Sequence, residues 1–180
     1  VERLDALVDH LLDAAKTLQR RPRAGEATTL EPVLRAVCDA TVQRHGVAPG
    51  CVVLDCTEAA DARVRARETD LEIVFRNLVD NAVKYSLPDP RVEVVVTPAP
   101  RGRIVVRVTD RGPGIPVSGR ARIFGRFVRL GSELERSAPG TGLGLYLVRS
   151  LVRQMRGAVH VRGRLPPPGT VFEVVLRAAP

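Results

Sequence analysis

Residues 74–86 read VFRNLVDNAVKYS, and this stretch decides how the rest of the chain is read. It holds Asn77 and Asn81, the only two Asn of the 180-residue sequence, together with Lys84, one of two Lys, and Tyr85, one of two Tyr. Elsewhere the chain has no Asn and, apart from Lys16, writes Arg for its cations. From Leu71 to Val83 the apolar residues Leu71, Val74, Phe75, Leu78, Val79, Ala82 and Val83 recur at helical spacing, predicting a helix with a wide buried stripe. At about 100° per residue, Asn77, Asn81 and Lys84 fall within about 60° of one another along one edge of that stripe, with Tyr85 about 80° from Asn77. Carboxamide oxygens suit a hard cation such as Mg²⁺. Lys84 adds a positive point for phosphate, and Tyr85 a ring for a flat ligand. The plainer alternative is a pair of Asn tolerated on a solvated face, since Asn is a poor interior-helix residue. Their absence elsewhere favours function.

Glu68, Thr69 and Asp70 open this helix, and Pro88 and Pro90 stop it. Upstream, CVVLDC and RVRA read as strands, and Thr29 is placed to cap a helix that runs to about Arg44 and ends at Gly46. Downstream, RVEVVVT and RIVVRVTD form a hairpin through PAPRG, and AVHVRGR and TVFEVVLR form another through LPPPG. Between the hairpins lies GLGLYLVRSLVRQM, a helix with Leu147, Val148, Leu151, Val152 and Met155 on one side. Residues 111–141 are rich in Gly, Pro, Ser and Arg, the composition of a long functional or mobile loop. Strands that are neighbours in sequence, with three helices to cover them, predict an α/β (α+β) two-layer sandwich with a mixed sheet of five or more strands. Residues 2–20 carry a heptad seam at Leu4, Val8, Leu11, Ala15 and Leu18, barely two heptads long. The expected division is a helix over 1–21, a linker over 22–28 marked by Pro22 and Gly25, and a domain over 29–180.

Composition narrows the class. At 44% hydrophobic and 27% charged residues the chain reads as globular, with no apolar run long enough to span a membrane. Cys38, Cys51 and Cys56 lack metal-ligand spacing and read as small buried hydrophobes in a reducing cytoplasm. A net charge of +8 invites an anionic partner, yet the Arg are scattered and aromatics make up only 3%. That leaves no stacking platform, and nucleic-acid binding is not expected.

Two glycine motifs remain. VVRVTDRGPGIP puts Asp110 at a strand end before Gly112 and Gly114, where a carboxylate can accept a hydrogen bond from an exocyclic amine and the glycines let backbone lie against a ring; an ordinary Asp–Gly turn has the same spelling. APGTGLGLYLVRSLV puts Gly140, Gly142 and Gly144 at a helix start, suited to phosphate. Leu145 stands where a dinucleotide fingerprint needs Gly, and there is no GxxxxGK[ST].

Together, N-x-x-x-N-A-x-K-Y, D-x-G-x-G and G-T-G-L-G-L, in that order, resemble the ATP-binding catalytic domain of sensor histidine kinases, in the superfamily shared with Hsp90, type II topoisomerases and MutL. RIFGRFVRL (122–130) looks like the F box between the last two, and the N-terminal helix is similar to the end of a dimerisation hairpin. The resemblance implies ATP and Mg²⁺ as ligands. Asn81, with Asn77, would hold the ion; Asn77 and Lys84 would contact phosphate; Tyr85 would lie against the adenine and Asp110 would read its amine beside Gly112 and Gly114. Gly140, Thr141, Gly142, Leu143 and Gly144 would border the phosphates. Arg126 would meet the γ-phosphate from a mobile lid over 113–139, with Arg129 either joining it or standing as a solvated charge; Phe124 and Phe127 would anchor the lid, whose closure would exclude water. Pro139 departs from the Gly usual at that point of the family pattern.

The resemblance also implies partners: a dimerisation and histidine-phosphotransfer domain in the same parent chain or a second protein, and a response regulator. The parent would be a homodimer anchored in the inner membrane, with this piece cytoplasmic and able to stand as a monomer. No acceptor is visible, because His10, His45 and His160 are followed by Leu11, Gly46 and Val161 rather than an acidic residue. Rival expectations are an anti-sigma-type Ser/Thr protein kinase sharing the pocket and a non-catalytic nucleotide-sensing scaffold.

Overall fold

The computed structural model describes residues 26–129 and 141–180; the heptad segment, Gly140 and Pro139 lie outside them. In chain order the elements are β1 (Thr28–Thr29), α1 (Leu30–His45), β2 (Val52–Asp55), β3 (Arg63–Val64), α2 (Glu68–Tyr85), β4 (Val92–Ala99), β5 (Arg103–Thr109), α3 (Val117–Arg120), α4 (Gly144–Gln154), β6 (Ala158–Gly163) and β7 (Thr170–Arg177). The five-stranded sheet has the order β2-β4-β5-β7-β6, and β1 pairs with β3 in a separate two-stranded ribbon. Only β2 and β4 run parallel, because β3 and the crossover helix α2 lie between them in sequence; the other sheet neighbours are antiparallel. The expected two-layer sandwich is what forms.

Register shows which face is buried. Leu54 pairs with Val94, Val94 with Val108, Val108 with Phe172, and Phe172 with Val161, so one row of apolar side chains crosses all five strands. Alternate residues point to the same face of a sheet, and this face meets α1, α2 and α4. α2 lies between the other two helices and buries Leu71, Val74, Phe75, Leu78, Val79, Ala82 and Val83, the seven positions its periodicity predicts. The other face is mixed: Arg107 Nε donates to Glu173 Oε2 at 3.0 Å, while Val105 is buried beside them.

Helix starts differ from expectation. Thr29 occupies the N-cap position of α1, yet its side chain makes no capping bond, because Thr29 pairs with Arg63 in the ribbon and Leu30 N–H donates to the Ala62 carbonyl. At α2 the N-cap is Arg67, and its guanidinium grips the buried Asp70 carboxylate through two bonds of 2.9 and 2.8 Å. Cys38 and Cys56 are buried free thiols, and burial pushes Cys38 up to about 11, where it stays protonated and inert. Among the described residues no helix is long and apolar enough to cross a membrane.

Candidate functional site

The amide edge of α2 faces the start of α4. Asn77 Nδ2 donates to the Ile73 carbonyl at 2.7 Å, which turns Oδ1 outward against Gly144. A Cβ on Gly144 would overlap that oxygen, so only glycine lets the two helices meet here. One turn later Asn81 is half-buried, and its carboxamide makes no hydrogen bond among the described residues. Lys84 follows on the same edge. Burial depresses its ammonium below the usual lysine range, the Arg129 charge pushes the same way, and Asp80 partly offsets both. Arg129 is half-buried, and its charge acts on Lys84. Two like charges gathered beside a free carboxamide form a receptor for a polyanion.

Asp110 closes the far end. It is the next helix-facing position after Val108 at the end of β5, and it is 5% exposed. Its Oδ1 accepts Gly112 N–H at 2.8 Å and Thr170 N–H at 3.1 Å, while Asp110 N–H donates to the Thr170 carbonyl at 2.9 Å. Burial raises the carboxyl above the usual range, and these bonds with the Thr170 hydroxyl restrain the rise. Gly112 lies on the last carbonyl of α2, since a Cβ there would stand 2.7 Å from the Tyr85 oxygen. Gly114 takes φ +82° beside Gly169, which itself takes φ +134° against the Asp110 carbonyl. Both conformations favour glycine. The amide edge of α2 thus meets α4 through Asn77 and Gly144, and the turn after β5 meets the end of α2 through Gly112 and Tyr85.

The other expected residues make contacts of their own. Tyr85 is 50% exposed at the end of α2, with Lys84 Nζ 5.2 Å from its ring centroid. Phe124 packs edge-on against Phe172 with centroids 6.4 Å apart, whereas Phe127 is 57% exposed with φ +59°; only the first anchors its segment. Gly142, at φ +74°, presses on the Phe127 backbone, Thr141 Oγ1 receives Leu143 N–H at 3.4 Å, and Leu143 is buried. Arg126 donates to the Tyr146 hydroxyl at 2.7 Å. Sequence reading missed Tyr146, Thr170 and Gly169, whose partners are distant in sequence; Gly169 alone carried a signal, as the Gly closing LPPPG. A cavity of about 490 Å³ on the opposite sheet face, lined by Val53, Glu93, Thr109 and Arg111 among others, contains none of the expected site residues.

Residues 66–180 match the family described as histidine kinase-, DNA gyrase B- and HSP90-like ATPase. The chain belongs to this family. Among relatives, the signal transduction histidine-protein kinase/phosphatase MprB of Mycolicibacterium vanbaalenii is 34% identical over all of this chain and 36% of its own length. MprB of Mycobacterium tuberculosis is 35% identical over 98% of this chain and 34% of its own length. The chain thus spans about a third of the curated relatives it matches. A solved mycobacterial sensor histidine kinase MprB superposes with TM-score 0.73 at 31% identity, covering 86% of this chain and 98% of that one. Full-length ShkA in complex with AMPPNP superposes with TM-score 0.76 at 28% identity, covering 98% of this chain and 36% of that one. Within the ATPase family, the chain is the ATP-binding catalytic part of a histidine kinase.

Proposed function

We propose that this chain binds Mg-ATP in the α2–α4 crevice and passes the γ-phosphoryl group to a histidine on a dimerisation domain, within a two-component system. The observation that carries the reading is the meeting of the Asn77 oxygen with Gly144, which sets the amide edge of α2 against a glycine-rich helix start. Asp110 accepts from the adenine amine, Gly112 and Gly114 keep that end shallow, and Tyr85 covers the ring from outside. Lys84 and Arg129 meet the phosphates beside Gly140, Thr141, Gly142, Leu143 and Gly144, and Arg126 reaches the γ-phosphate.

The donor set fits Mg²⁺. One or two carboxamide oxygens on an otherwise cationic edge suit an ion that keeps several waters and takes its remaining ligands from phosphate. Asn81, with its carboxamide uncommitted, is the first ligand, and Asn77 the second. When bound, the ion neutralises charge on the phosphate oxygens. The residues of the chain hold ATP so that the bond from γ-phosphorus to the ADP oxygen breaks as one to an imidazole nitrogen forms, which calls for positioning more than covalent help. The imidazole, the base that takes its proton, the response regulator and any membrane anchor belong to parts beyond the described residues. The parent acts as a homodimer, with this domain on the cytoplasmic side.

Calorimetric titration tests the site. The native chain is expected to bind Mg-ATP in the micromolar range, about −8 kcal/mol at 1 μM. Asn81→Ala should bind more weakly and lose most of the magnesium dependence. Identical isotherms with and without magnesium for both proteins would remove Asn81 from the site.

A further inference from the structure

Tyr146 is the second of the two tyrosines in the chain, and no step above uses it. The structure places it under Arg126 by two contacts at once. The phenol oxygen accepts from the guanidinium at 2.7 Å, and the ring centroid lies 4.7 Å from the guanidinium carbon, a cation–π arrangement. We propose that Tyr146 is a positioning residue for Arg126, holding the guanidinium away from the crevice so that phenol and γ-phosphate compete for one cation. This rests on the reading in which Arg126 serves the γ-phosphate.

Helix geometry sets the direction. Gly144 points at Asn77, and Tyr146, two residues later, lies about 200° further round α4. That is the side opposite Leu147, Val148, Leu151 and Val152, which are buried against the core. A guanidinium resting on Tyr146 is therefore turned from the amide edge of α2. The backbone that follows Arg126 is pinned, since Gly142 presses on the Phe127 main chain and Phe127 holds φ +59°. Redirecting Arg126 then needs rotation of its own long side chain and no backbone displacement. The competition is local, and it penalises ligands that carry a γ-phosphate while sparing those that lack one.

The test is calorimetric titration of the 180-residue chain with Mg-ATP and Mg-ADP, for the native protein, Tyr146→Phe, Tyr146→Ala, Arg126→Ala and Arg126→Ala/Tyr146→Ala. Removing ring and hydroxyl should tighten ATP binding about fivefold and removing the hydroxyl alone about twofold, with ADP unchanged. The double variant should match Arg126→Ala. Unchanged or weaker ATP binding by Tyr146→Ala, or a gain that persists without Arg126, overturns the proposal. An ATP-to-ADP preference untouched by Arg126→Ala overturns the role given to Arg126 itself, and absence of nucleotide binding by the native chain overturns the site reading beneath both. A second readout needs no folding comparison: with no Trp present, tyrosine emission should change on adding a non-hydrolysable ATP analogue. The Tyr146 share of that change should vanish in Tyr146→Phe and in Arg126→Ala. Its persistence in Arg126→Ala refutes the contact as the switch.

Discussion

In the proposed site, Asp110 would serve recognition at a cost to stability. Burial raises its titration point, so between the ordinary carboxyl value and the raised one the folded chain holds more protons than the unfolded one. Stability therefore falls as pH rises through that window and remains lower above it. Asp110→Asn keeps an oxygen for Gly112 and Thr170 N–H while removing the buried charge. Urea melts at pH 7 should place its midpoint at or above that of the native chain, with the advantage shrinking as pH drops below the window. ATP affinity should fall by at least about tenfold, the loss of one charge-assisted hydrogen bond. Lys84 has the opposite linkage. Its pKa is depressed in the fold and a bound polyphosphate would restore the proton, so titrations at alkaline pH in buffers of different ionisation enthalpy should report proton uptake on binding. Both residues could be picked out from the sequence by their place at a strand end and on a helix edge. Thr170 could not, because its service to Asp110 is 60 residues away in the chain.

At the scale of elements, α2 is both wall and core. Phe75 is fully buried beneath it, and Phe75→Ala should cost about 3–5 kcal/mol by thermal or urea unfolding. Gly144→Ala separates packing from binding. Helix propensity favours alanine at the first residue of α4 by up to about 1 kcal/mol, while the added methyl must displace the Asn77 oxygen and its bond to Ile73. The variant should unfold within a few degrees of the native chain but bind Mg-ATP at least about tenfold more weakly, as calorimetry can measure. Loss of fold with no loss of affinity per folded molecule would contradict the role of this contact. Long periodic segments such as α2, α4 and the two hairpins were legible because each repeats its apolar spacing several times. RVRA was read as a strand and holds β3, but its two-residue partner β1 and the four-residue α3 were not legible. Elements that short carry no period, and Thr28–Val64 pairing is decided by distant backbone.

For the molecule as a whole, the sheet divides labour between its faces. One side supports three helices and the crevice, and the other leaves mixed apolar and ionic surface. The sandwich class could be read from the order of segments, but Arg126 and Arg129 could not be told apart by spacing. One turned to Tyr146 and the other came near Lys84, a choice made by the packing of Gly142 and α4. Since none of His10, His45 and His160 precedes an acidic residue, incubation of the chain with radiolabelled ATP should leave no acid-labile phosphate on it. Stable labelling would mean that an acceptor lies within these 180 residues.

The hydrogen bonds from Thr170 to Asp110, and the seat of Gly169 beneath it, have a consequence for biosynthesis. The carboxylate proposed to read adenine is oriented by β7, the last strand of the sheet to leave the ribosome. Translation can finish both asparagines and every glycine of the phosphate border and still lack a competent pocket. ATP could then reward only a polypeptide in which β7 has already docked, so ligand-assisted folding would wait for that strand.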